Sequence, residues 1–211
     1  AALVDGTYLV VLAAYLWREL VAGGSWGQAP IAMLISLYAA TNVLYHALAL
    51  GARATDLAER MALSLIMLLL TVIGGRLTPN FTREYLLQAR VRALPPGFSR
   101  VDGLAIGLVV LAAAIWIAEP EGRTAGWALA TAGAANLIRL GRWQGWRAWR
   151  DPLVLVLHAG YGWLALSCLA LGGALLGFGL APAEAVHALT TGAVGTMTLA
   201  VMTRASLGHT G

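Results

Sequence analysis

GLAIGLVVLAAAIWIAE, residues 103–119, is the stretch whose reading decides the fold. From Gly103 to Ala118 no side chain is ionisable, and the run stops at Glu119-Pro120. A helix needs ~20 mostly apolar residues to cross the hydrocarbon core of a bilayer. Inside lipid an open chain must satisfy its own backbone groups, so the run reads as a helix rather than a strand. Six further stretches of the same character lie on either side, at 6–22, 30–50, 57–78, 124–141, 152–172 and 183–203. Breakers separate them: Gly23-Gly24, Pro79 (expected to end the third span), Pro95-Pro96, Pro120, Pro152 and Pro182. The chain is therefore expected to be all-α, a polytopic integral membrane bundle of about seven transmembrane helices forming one domain over residues 1–211. The widest connection, Asn80 to Asp102, holds a short amphipathic stretch from Arg83 to Leu94 suited to a membrane surface.

Composition agrees. Of 211 residues 59% are hydrophobic and 11% charged, less than half the ~25% usual in a soluble domain. All 14 basic residues are arginine. Without lysine there is no P-loop lysine, pyridoxal Schiff base or retinal Schiff base. A single cysteine, Cys168, rules out a disulfide framework, an iron–sulfur ligand set and covalent haem attachment. The net charge of +4 would suit nucleic acid only if the arginines formed a patch, but they sit between apolar segments. Eleven (Arg18, Arg76, Arg83, Arg90, Arg92, Arg100, Arg139, Arg142, Arg147, Arg150 and Arg204) fall on one side of the bundle; Arg53, Arg60 and Arg123 fall on the other. The positive-inside rule places the eleven in the cytoplasm and residue 1 outside. Trp143, Trp146 and Trp149 fit an inner interfacial belt, Trp116 and Trp127 an outer one. The chain opens on Ala1 with no basic flank, almost inside an apolar run, and reads as a piece of a longer protein.

Polar groups within spans are the candidates for function. Tyr38, Asn42, Tyr45 and His46 share a stripe of the second span; Asn136 and Arg139 lie near the inner end of the fifth; His158, Tyr161 and Cys168 share a face of the sixth. At ~1.5 Å of rise per residue, His46 and His187 each lie roughly 7 Å from the outer end of their helices, and His158 roughly 9 Å from the inner end. His209 follows the last span. Imidazoles at one level can share a haem or metal ion; each can equally hydrogen-bond a neighbouring helix. Small residues crowd the last span from Ala188 to Ala200, admitting a flat cofactor or a close helix. Gly103-x-x-x-Gly107 and Gly173-x-x-x-Gly177 are packing motifs. Arg76, Arg139 and Arg204, at the inner ends of three spans, suit an anion, a haem propionate or a lipid phosphate, or serve only topology.

Three stretches resemble one family. They are HALTTGAVGTMTLAVMTRASLGHTG (His187 to Gly211), GGRLTPNFT (Gly74 to Thr82) and HAGYGWLAL (His158 to Leu166). Their order and spacing are similar to those of the NnrS family, and the likeness covers nearly the whole chain. It implies a bacterial inner-membrane protein of the nitric-oxide response, with non-covalent b-type haem and copper as cofactors. Nitric oxide or an iron–nitrosyl species would be its ligand and the lipid bilayer its surroundings; no nucleic-acid partner is implied. Family members are longer, with roughly twelve spans, and their amino-terminal half carries a histidine-rich W-H-x-H-E-type motif that this sequence lacks. The resemblance assigns no ligand residue by residue. His158, His187 and His209 lie in the matching stretches and His46 outside them.

The residues thus point first to a haem or copper membrane protein handling nitric oxide. Cofactor candidates are His46, His187, His158, Arg76, Arg139 and Arg204, and metal candidates are His187, His46, His158 and His209. A transporter or exporter using an arginine-lined polar path, and a cofactor-free structural subunit, are the competing readings. No nucleophile–base pair and no H-E-x-x-H site marks a catalytic centre.

Overall fold

The computed structural model describes residues 2–210; the side chains of residues 2, 3, 205 and 207–210 lie outside the described part. The described residues are helical, with no strand. The α-helices are α1 (Ala2–Gly23), α2 (Ala29–Leu50), α3 (Asp56–Leu69), α4 (Gly75–Gln88), α5 (Arg100–Ala118), α6 (Arg123–Arg142), α7 (Pro152–Leu176), α8 (Pro182–His187) and α9 (Thr196–Thr210). π-Helical turns fill Leu70–Gly74 and Ala188–Gly195. Among the described residues five helical stretches are long and apolar enough to cross a membrane: Trp26–Leu50, Asp56–Gln88, Arg100–Ala118, Pro152–Leu176 and Pro182–Arg204. The other two expected spans are helices of less apolar composition. α1 carries Asp5, Arg18 and Glu19, while α6 is built mainly of Ala, Gly and Thr and ends in Arg139 and Arg142.

The helices form two compact units, the first ending at Leu69 and the second starting at Leu70. In the first, α2 packs against α1 and α3, and the Trp17 indole donates to Ser36 Oγ across 2.9 Å. In the second, α7 is the central helix, touching α4, α6, α8, the second π turn and α9, while α5 packs on α6. Local signals fix its ends: Asp151 accepts from the backbone amides of Leu153 and Val154, Pro152 occupies the first turn, and Gly177 closes the helix in the left-handed region at φ +85°. α5 starts from a capping box in which Ser99 accepts from Val101 and Asp102 accepts from the Ser99 amide.

Two expectations are corrected here. Close helix packing falls on other glycines: a Cβ on Gly133 would lie 2.8 Å from the Ala165 carbonyl, and one on Gly172 2.7 Å from that of Gly126, whereas nothing stands within 4 Å of Gly103 or Gly107. The α6–α7 contact is where backbones meet, because α6 has few large side chains to hold them apart. Likewise Trp116 and Trp143 are buried rather than interfacial; Trp127, Trp146 and Trp149 are exposed.

Candidate functional site

A guanidinium buried among helices organises the second unit. Arg139, 1% exposed, donates from Nε to Asp102 Oδ1 at 2.8 Å, and from Nη1 to the Thr71 carbonyl at 2.9 Å and the Tyr161 hydroxyl at 2.7 Å. The Tyr161 hydroxyl donates in turn to Asn136 Oδ1 at 2.6 Å. Trp143 stacks edge-on against Tyr161 at 4.6 Å and lies under the guanidinium. The second carboxylate oxygen of Asp102 accepts from the Ser99 amide and hydroxyl and from Arg142 Nη1, so both oxygens of this buried anion are hydrogen-bonded.

The backbone is shaped to this cation. Pro79 does not end the third span as its sequence position predicts; α4 runs through it to Gln88. Proline has no N–H for the carbonyl of residue i−4, here Gly75, and Arg139 Nη2 approaches that carbonyl at 3.4 Å. The π turn just before it leaves the Thr71 carbonyl open to the same guanidinium. A Cβ on Gly75 would strike the guanidinium, and one on Gly74 would sit 2.7 Å from Met197 Cε. Gly75 makes room for the arginine, and Gly74 for Met197 and the Tyr161 ring.

Beside this hub lies a cavity of about 410 Å³ whose lining includes Arg76, Asn80, Arg83, Phe98, Arg139 and Trp143. Arg76 and Arg139 thus meet at one cavity. Arg204 does not join them: it pairs with Glu84 and Asp151 at 3.7 and 3.6 Å and covers the Phe81 ring.

The histidines are placed differently from one another. In the first unit His46 Nε2 meets Asp5 Oδ2 at 2.7 Å, and Asn42 donates to the same oxygen. In the second unit His158 is buried, with Nδ1 bonded to the Val154 carbonyl at 3.0 Å, Nε2 3.5 Å from Thr82 Oγ1, and the Gly145 backbone against its ring. His187, at the end of α8, is exposed and has no protein partner among the described residues. The His209 side chain lies outside the described residues. No three His, Cys, Asp or Glu side chains among the described residues stand close enough together to hold a metal ion.

The second π turn and the buried histidine fall in the family-like stretches, and the first π turn ends at Gly74, where another of them begins. A family model described as NnrS protein matches residues 1–211. The chain belongs to the NnrS family. Comparison with curated proteins and with solved structures gives no significant match. Membership points to a role in the nitric-oxide response, in a family associated with haem and copper.

In this NnrS chain the three matching stretches have physical roles. Gly75, from the Gly74–Thr82 stretch, makes room for the guanidinium. Tyr161, from the second stretch, binds it. Gly192, from the third, lies under Trp163, where a Cβ would come within 2.8 Å of the indole. That packing accounts for part of the small-residue run in the last span. Asp102 and Asp5 are the partners that sequence reasoning passed over. Asp102 carried a signal: Ser99-x-x-Asp102 ahead of an apolar run is a capping box, and it places an acid at the mouth of a span. Nothing in the sequence marks Arg139 as its partner 37 residues away. Tyr161→Phe is expected to destabilise the fold by about 1–3 kcal/mol, because Asn136 Oδ1 and one Arg139 N–H then lose their buried partner. Chemical unfolding in detergent checks this; an unchanged midpoint would show that the hydroxyl contributes nothing.

Proposed function

We propose that this chain is a seven-span membrane protein of the nitric-oxide response in the bacterial inner membrane, with its arginine-rich loops in the cytoplasm, and that His187 holds a non-covalent haem. The carrying observation is that His187 is exposed on a membrane-capable stretch and that neither ring nitrogen meets a protein partner among the described residues. An unsatisfied imidazole in hydrocarbon is costly to keep, and a haem iron satisfies it. His46 and His158 fit less well: Asp5 occupies Nε2 of one, while the Val154 carbonyl and the Gly145 backbone hold the other. For copper, no three-ligand cluster of His, Cys, Asp or Glu stands among the described residues, and no step is assigned to it.

Bound haem supplies an iron to which a diatomic gas binds. The His187 imidazole would hold that group, and the iron would then be able to bind nitric oxide arriving through lipid. Within the following turn the Thr190 hydroxyl is turned back to the Val186 carbonyl at 3.0 Å, so the helix offers a low, apolar surface there. Purified protein in detergent is expected to show a Soret band that shifts with nitric oxide, is lost in His187→Ala and persists in His46→Ala. A full band in His187→Ala overturns the assignment.

A further inference from the structure

We infer that the cavity beside the Arg139 hub is a binding site for the phosphate group of an amphiphilic anion, its charged head held by Arg76 and Arg83. Arg76, Asn80 and Arg83 are four and three residues apart, so α4 presents them on one face. All three line the cavity. Arg76 and Arg83 are exposed, and neither has a hydrogen bond or a carboxylate partner among the described residues. The neighbouring cations differ: Arg139 and Arg142 share Asp102 as an ion-pair partner, and Arg204 pairs with Glu84 and Asp151. Three arginines therefore line the cavity against one aspartate whose oxygens are already taken.

The size and the other walls define the ligand. About 410 Å³ is far more than a bare inorganic ion fills, and falls in the range of organic ligands. Val72, Pro96, Phe98, Ile106 and Trp143 add an apolar wall to the two guanidiniums and the Asn80 amide. Two planar forks with five N–H donors each, plus an amide, suit the several oxygens of a phosphate better than the two of a carboxylate. A phosphate carried on an apolar body matches both walls. Its source is either a membrane phospholipid or a soluble phosphate ester.

Purified protein in a neutral detergent, titrated with phosphatidylglycerol, phosphatidylcholine and glycerol phosphate, separates these sources. Phosphatidylglycerol is expected to bind about tenfold tighter than phosphatidylcholine. The pair Arg76→Gln/Arg83→Gln is expected to remove that preference, while Arg147→Gln/Arg150→Gln, which alters two arginines outside the cavity, preserves it. Arg76→Lys/Arg83→Lys keeps the charge without the fork and is expected to fall between wild type and the glutamine pair. Because both arginines are exposed and unbonded, the melting temperature without ligand is expected to stay unchanged in these variants. Glycerol phosphate binding as tightly as phosphatidylglycerol shows that the apolar wall contributes nothing and overturns the amphiphilic ligand; binding of phosphatidylglycerol alone identifies the membrane lipid. Equal binding of phosphatidylglycerol and phosphatidylcholine with no binding of glycerol phosphate overturns the site, as does an equal loss in the two glutamine pairs. The outcome is independent of the haem spectrum.

Discussion

Asp102→Ala is expected to destabilise the folded chain by about 3–5 kcal/mol, the largest effect of any single substitution proposed for it. The reason is the state of the partner left behind. Arg139 is 1% exposed, so removing its carboxylate leaves a buried cation without its counter-charge. Its remaining contacts, the Thr71 and Gly75 carbonyls, the Tyr161 hydroxyl and the Trp143 ring, are neutral. They solvate a guanidinium without balancing its charge. Ser99 also loses the acceptor for its amide and hydroxyl, so the start of α5 is expected to fray. The double variant Asp102→Leu/Arg139→Met removes both charges and is expected to recover much of the loss, because a buried ion pair adds little net stability over apolar packing. Denaturant unfolding of both variants in one detergent decides the matter. If the double variant is as unstable as the sum of its single substitutions, the pair is uncoupled and the hub is not electrostatic.

Gly172→Val is expected to separate α6 from α7, with a loss of about 1–3 kcal/mol or more. A Cβ at Gly172 would lie 2.7 Å from the Gly126 carbonyl and 2.8 Å from the Ala130 amide. Both are backbone atoms of a neighbouring helix and cannot swing aside as a side-chain tip would. α7 would have to translate, and with it Tyr161 and the end of the Arg139 network it supports. Gly107→Ala is the control. Nothing lies within 4 Å of that position, so alanine is expected to be neutral or to add up to about 1 kcal/mol through helix propensity. Equal melting of the two variants would place the close contact elsewhere.

Much of this architecture was legible without coordinates. The apolar runs, their lengths and the proline and glycine breaks between them mark helices by local chemistry alone, and a helix in lipid satisfies its own backbone. Gly103 to Ala118 is such a run, and α5 covers it. Pro79 was misleading because the Gly75 carbonyl, left without its usual N–H, has another donor. Here the donor is Arg139, 64 residues away along the chain. The tryptophans misled for a related reason: their type says amphipathic, but only the neighbours of Trp143 show that its ring belongs under a buried cation.

What this sequence determined by itself is its helical, membrane-suited character and its family, since both rest on composition, period and contiguous motifs. Which polar side chains are committed to one another was decided only by tertiary structure. Arg76, Arg139 and Arg204 are indistinguishable as residues near helix ends, yet one faces a cavity unpaired, one is buried against an aspartate and one is tied to two acids. His46, His158 and His187 likewise differ only in what stands beside them. Long-range pairing sets the free energy of a charge in a low-dielectric interior, and the distance along the chain between partners leaves no periodic trace for a reader to follow.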